Sequence, residues 1–166
     1  MGLERTYRYY QRRVTRLPGT AYSIAAGFAA GAAVSFTPLV GFHFLLGALV
    51  AFLIRGNLIA SAFGTLVGNP WTFPFIWVAI YKLGTSIMPG PAEPMPVREF
   101  DWAFLMANFS EVLVPMLLGG LILSLVVWPI VYFPMYRLVA RLKAAQAARR
   151  MRKLRAAQTA GAGEAA

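Results

Sequence analysis

Few side chains in this sequence could do chemistry, and most of them interrupt long apolar runs. His43 is the only histidine. Thr37-Pro38 precedes it, Arg55 and Asn57 flank Gly56, and Gly68-Asn69-Pro70-Trp71-Thr72 follows. A histidine among apolar residues either exchanges protons or contacts a headgroup, or it stays neutral and hydrogen-bonded between helices. Arg55 either offers its planar fork to an anion or marks a helix end with its head reaching the cytoplasmic interface. Asn69 is a natural cap for exposed backbone groups. Prolines suit the first turn of a helix, so helices opening at Pro38 and Pro70 would present free N–H groups and a positive dipole end. Such ends attract anions, and Thr37 and Thr72 add hydroxyls beside them. The candidate ligand set is therefore Thr37, Pro38, His43, Arg55, Asn57, Asn69, Pro70 and Thr72, with an anionic group such as a lipid phosphate as its ligand.

Other chemistries are not expected. No cysteine is present, which removes disulfides and thiolate chemistry. One histidine with no nearby Asp or Glu makes a poor metal site. No Ser-His-Asp set, paired interior carboxylates, P-loop or nucleotide fingerprint occurs. The expectation is a protein with no catalytic residue, no cofactor and no enzymatic activity.

The elements that must hold these residues are long and uncharged. Leu17–Ile54, Gly56–Tyr81 and Val112–Tyr136 carry no formal charge over 38, 26 and 25 residues. A helix needs about 20 apolar residues to cross a bilayer core of about 30 Å. The pattern predicts an all-α, polytopic integral membrane protein with Pro-broken helices, some of which can be re-entrant. Residues 20–136 form the membrane domain, with helices over about 20–36, 38–54, 57–68, 70–86 and 112–136. Gly27-x-x-x-Gly31 and its alanines give a small-residue face for close helix packing. Four of the eleven prolines fall between Met88 and Pro96, so 89–110 reads as a loop, with a short interfacial helix around Val97, Phe100, Phe104 and Leu105. Residues 1–19 form a basic interfacial segment, and 137–166 form a basic helix to about 157 with a disordered tail from Thr159.

The net charge of +10 invites nucleic acid as a partner, but its distribution argues against that. Five arginines precede the first apolar run and eight Lys and Arg residues follow the last. Residues 89–110 carry a net −2. The positive-inside rule then places both termini in the cytoplasm and 89–110 outside. That needs an odd number of crossings before the loop, so either three occur or some halves turn back as re-entrant hairpins. A cleaved signal peptide is not expected, because the first apolar run is too long for one.

Ser35-Phe36-Thr37-Pro38, Gly41-Phe42-His43, Arg55-Gly56-Asn57, Gly64-Thr65, Gly68-Asn69-Pro70-Trp71-Thr72 and Tyr81-Lys82-Leu83-Gly84 occur in that order. This ordered set resembles the bacterial membrane-protein family known as domain of unknown function 2062, over about residues 20–88. The resemblance implies an inner-membrane protein with no established activity. Some members of that family look fused to glycosyltransferase domains, enzymes that often work with polyprenyl phosphates, and this chain carries no such domain.

Two readings follow. The first is a transporter or flippase-like protein that binds an anionic or polyprenyl-phosphate lipid between two Pro-broken segments, since paired breaks of this kind surround transporter sites. Pro38 and Pro70 are 32 residues apart, the spacing of a degenerate internal repeat. The second is a structural or scaffolding subunit whose basic tails bind partners or the anionic leaflet, with self-association open. A cation channel ranks below both, because no acid lies inside the spans except Glu111 at an end.

Overall fold

The computed structural model describes residues 18–88 and 109–164. The basic lead-in to residue 17 and the Pro-rich stretch 89–108, with its expected interfacial helix, lie outside the described residues. Among those described, every regular element is helical. In chain order these are α1 (Ala21–Val34), α2 (His43–Leu53), α3 (Leu58–Gly64) with a tighter turn over Thr65–Val67, α4 (Phe73–Ile87), a wide turn over Phe109–Leu113, and α5 (Val114–Glu164).

Helix α1 begins where Thr20 accepts the Ser23 N–H and is buried on almost every side. Its interior positions are Ile24, Ala25, Ala26, Gly27 and Ala29 through Val34. Small side chains let three helices approach it at once. A Cβ at Gly27 would collide with the Asn57 backbone, and one at Gly31 with the Ser61 carbonyl. These pairs, with the Ser35 hydroxyl near the Thr65 carbonyl, set α3 parallel to α1. Helix α2 is antiparallel to α1, because Gly47 lies by Gly31 and the Tyr22 hydroxyl donates to the Ile54 carbonyl at 3.0 Å. Helix α5 also runs against α1. The Ser124 hydroxyl donates to Ala33 O at 2.7 Å, Tyr132 meets Tyr22, and Lys143 donates to Gly19 O. Higher up, Gly84 fits against Pro115 and Gly119 against Ile80, so α4 is likewise antiparallel to α5.

The direction of travel follows from these contacts. Helix α1 rises from a base at Gly19, Arg55 and Lys143, and α2 returns to that base. Helix α3 rises again, and α4 continues upward past the end of α1. Ile76, Ile80, Tyr81, Val112, Leu113 and Met116 form an upper core between α4 and α5.

The distribution of size is inverted relative to a water-soluble core. The centre is alanine and glycine, while Phe52 (70% exposed), Phe75 (78%), Trp71 (86%) and Leu125 (69%) lie outside. One helical stretch, Glu111–Ala156, is long and apolar enough to cross a membrane by length and composition. The other apolar helices among the described residues have 10–17 residues, short of what one simple crossing needs.

Several boundaries move. Neither Pro38 nor Pro70 opens a helix: α2 starts at His43 and α4 at Phe73. Pro38 to Phe42 forms consecutive turns with Gly41 at φ +89°, which a right-handed helix cannot contain. In α4 the first-turn proline is Pro74, while Pro70 lies in the preceding turn. The last helix continues to Glu164, past the expected end near 157 and through most of the tail expected to be disordered. Pro129 and Pro134 stand inside it.

Candidate functional site at the two chain breaks

Besides the base turn over 54–57, the described chain leaves helical geometry at Ser35–Phe42 and at Gly68–Thr72. In the first break, Phe36 N–H and Thr37 N–H donate to Ala33 O and Val34 O, closing α1 with tight turns. The Thr37 hydroxyl donates to Val34 O at 2.8 Å. The buried Ser35 hydroxyl lies 3.1 Å from Gly31 O and 3.3 Å from Thr65 O, so it bridges α1 to the end of α3.

The second break is built around Asn69. Its Oδ1 accepts the N–H groups of Trp71 at 3.0 Å and Thr72 at 3.2 Å. The Thr72 hydroxyl accepts the Asn69 N–H at 3.0 Å and donates to Val67 O at 2.6 Å. This reciprocal pair closes the turn that leads into α4, whose N-cap position is Thr72. Asn69 therefore holds the turn before α4, and Thr72 is its counterpart.

The two breaks meet through His43. Its ring, 6% exposed, stacks on Phe73 at 5.4 Å between centroids, and Phe73 stacks on Trp77 at 5.5 Å. The His43 Nε2 lies 3.2 Å from the Thr37 carbonyl, and a carbonyl only accepts, so Nε2 carries the proton. His43 and Phe73 are the first residues of α2 and α4, so the positive ends of two helices converge here. One helix leaves toward the base and the other away from it.

The level of this junction can be read along α5. Gly120 lies against the Phe36 carbonyl and Ser124 against Ala33. Ser124 is the midpoint of the charge-free stretch Val112–Tyr136. Lys143 marks the base 19 residues further on, about 29 Å at helical rise.

Six of the eight candidate residues, Thr37, Pro38, His43, Asn69, Pro70 and Thr72, belong to these two breaks. Arg55 and Asn57 do not join them. Asn57 caps α3 by accepting the Ala60 N–H at 2.9 Å and donates from Nδ2 to Pro18 O at 2.6 Å, so it ties the base together. Arg55 stands in the base turn at φ +55°, a conformation that costs a side chain about 1–2 kcal/mol. Phe73, Trp77 and Ser35 complete the junction and were absent from the sequence-derived set. Ser35 stands 30 residues before Thr65, and His43 stands 30 before Phe73. Contacts thus follow an offset of 30, whereas the prolines are 32 apart, and aligning prolines hides the pairing. No group of three or more His, Cys, Asp or Glu side chains able to hold a metal ion occurs among the described residues.

A family model described as an uncharacterized protein conserved in bacteria (DUF2062) matches residues 4–148. The chain belongs to this family. The DUF2062 match takes in both breaks, the base turn and α5 through Ala148, leaving the last basic turns outside it. No curated protein and no solved structure matches the chain.

Proposed function

We propose that this DUF2062 protein is a multi-pass protein of the bacterial inner membrane that binds the anionic head of an amphiphile at the junction of its two breaks, in the manner of a transporter or flippase. In this reading α1 and α2 form a re-entrant hairpin, α3 and α4 form one broken crossing, and α5 crosses back. That gives a single crossing before residues 89–108 and leaves both termini in the cytoplasm, as the charge distribution requires. Large apolar side chains outside an alanine-glycine centre support a lipid surround, where close backbone approach replaces hydrophobic burial as the packing force. Non-helical backbone at membrane depth is tolerated where protein buries it or where it lines a wet cavity. The observation that carries the reading is the meeting of two oppositely directed helix starts at His43 and Phe73, level with the middle of the charge-free stretch of α5. A phosphate is the group that such positive ends favour, and a polyprenyl phosphate is the amphiphile the family context suggests. No catalytic group is assigned.

The test is photocrosslinking of the full chain in lipid nanodiscs with a diazirine-bearing polyprenyl phosphate. Labelled peptides are expected to cover Thr37–His43 and Asn69–Phe73, with at least tenfold less label in His43→Ala. Label confined to outward positions such as Phe52 and Phe75 would sink the reading. Because the chain has no cysteine, single-cysteine variants report topology without background.

A scaffolding role is the second reading. It is favoured by the internal bonding of Thr37, Asn69 and Thr72, whose polar atoms already hold their own turns. It predicts lipid contact indifferent to break substitutions, with partner binding lost on removing residues 140–166.

A further inference from the structure

The base turn holds a residue that the backbone does not favour. Helix α2 closes with paired bonds: Gly56 N–H donates to Ala51 O at 2.6 Å, and Arg55 N–H donates to Phe52 O at 3.1 Å. This closure places one residue in the left-handed region, and glycine is the usual occupant. Here that residue is Arg55, at φ +55°. The neighbouring glycine is committed elsewhere, since a Cβ at Gly56 would come within 2.8 Å of Gly27 N. Replacing Arg55 by glycine would relieve the turn and leave its hydrogen bonds intact, so the closure of α2 does not account for the arginine.

Its surroundings suggest what does. Arg55 is exposed, and no ion pair involves it among the described residues. The turn is tied to α1 by Tyr22, whose hydroxyl donates to Ile54 O, and the Tyr22 ring meets Tyr132 edge-on at 6.1 Å. Tyr132 stacks in turn between Trp128 at 4.8 Å and Tyr136 at 5.8 Å. Lys143 binds Gly19 O at the same end, and Arg137 and Arg141 follow Tyr136 along α5. The acids with described backbone, Glu111 in the wide turn before α5 and Glu164 at its far end, stand well away from the base in opposite directions. Among the described residues, the base therefore combines an aromatic girdle with cations that have no carboxylate counterpart there. Aromatic rings at headgroup depth beside Lys and Arg are what a lipid–water boundary selects, and a guanidinium binds phosphate with two parallel N–H groups.

We infer that Arg55 is a ligand for the phosphate of an anionic phospholipid in the leaflet at the base. The rigid turn sets where its side chain leaves the fold. This inference rests on the membrane reading above and is independent of the junction at His43.

The test compares wild type, Arg55→Gly and Arg55→Lys, each as the full chain, in nanodiscs of phosphatidylglycerol or phosphatidylcholine. Thermal unfolding and lipid retention in native mass spectrometry are read together. In phosphatidylcholine, Arg55→Gly is expected to melt roughly 2–4 °C above wild type, because the backbone strain is gone. In phosphatidylglycerol, wild type gains stability and retains lipid, whereas Arg55→Gly loses that gain and at least tenfold of the retained lipid. Arg55→Lys keeps charge without the fork and falls between them. An Arg55→Gly variant that melts lower in phosphatidylcholine, or that keeps the full phosphatidylglycerol gain, overturns the inference. Equal protection by soluble glycerol phosphate overturns the lipid assignment. If the membrane reading itself fails, wild type does not enter nanodiscs at all, whereas failure of Arg55 alone leaves the wild-type lipid preference intact.

Discussion

The two breaks begin alike and end differently. In each, a three-residue turn precedes an aromatic ring at the first helical position, His43 or Phe73. The first break reverses the chain, so α2 returns along α1. The second passes the chain onward, so α3 and α4 travel the same way. The difference lies in the backbone chemistry of the turns. The first uses Gly41 at φ +89° and hydroxyls that bond backward to α1, whereas in the second Asn69 Oδ1 accepts from Trp71 and Thr72 ahead of it while Asn69 Nδ2 and the Thr72 hydroxyl donate back to Leu66 O and Val67 O. The left-handed Gly41 lets the chain turn away, while bonds in both directions at Asn69 and Thr72 tie the second turn to the helix before it and keep the chain moving onward. Two breaks rich in the same residue types therefore need not form a repeat.

Substitutions at three positions separate these roles. The largest effect is expected from Gly31→Val, which drives a branched side chain into the Ser61 carbonyl and parts α1 from α3. Both breaks then lose their shared support, and the folded, monodisperse fraction in fluorescence-detected size exclusion is expected to collapse. A normal profile would contradict the close packing of α1 on α3. Gly41→Val comes next. A Cβ there meets nothing within 4 Å, so the penalty is purely one of backbone, about 1–2 kcal/mol and larger for a branched residue. Gly41→Asn should recover part of the lost melting temperature, since asparagine tolerates the left-handed region, and equal damage from both would show that the conformation is not the cause. The smallest effect belongs to Asn69→Ala, which removes the cap on Trp71 and Thr72 and costs about 0.5–2 kcal/mol. Hydrogen exchange should rise in the first turn of α4 and leave α2 unchanged. A rise in both would mean that the breaks act as one unit.

The sequence makes the helical class, the two breaks and the small-residue face of α1 legible, because proline, glycine and charge-free length each have a direct physical meaning. Which break reverses is not legible. That depends on Gly41 having positive φ and on α5 passing the first break at Phe36, and neither leaves a local mark. The helix starts at His43 and Phe73 fall five and three residues beyond the prolines, since turns held by Leu39, Gly41 and Asn69 come between. Asn57 and Arg55 looked like site residues because they are polar beside an apolar run. Packing puts them at the base, and an arginine in a glycine conformation gives no warning in its letter. The His43–Phe73 stack joins residues from different helices and could be found only by knowing that the contacts run at an offset of 30.

The enclosure of α1 sets an order of assembly. This helix leaves the ribosome before the others described, yet its partners on α5 are distant in sequence: Ser124 reaches Ala33 across 91 positions, and Lys143 reaches Gly19 across 124. Contacts so remote in the chain form late. During synthesis the central alanine-glycine surface must wait, half-covered, for the final helix to arrive. A truncation before α5 would therefore strand the oldest part of the molecule and make it the natural target of protein quality control.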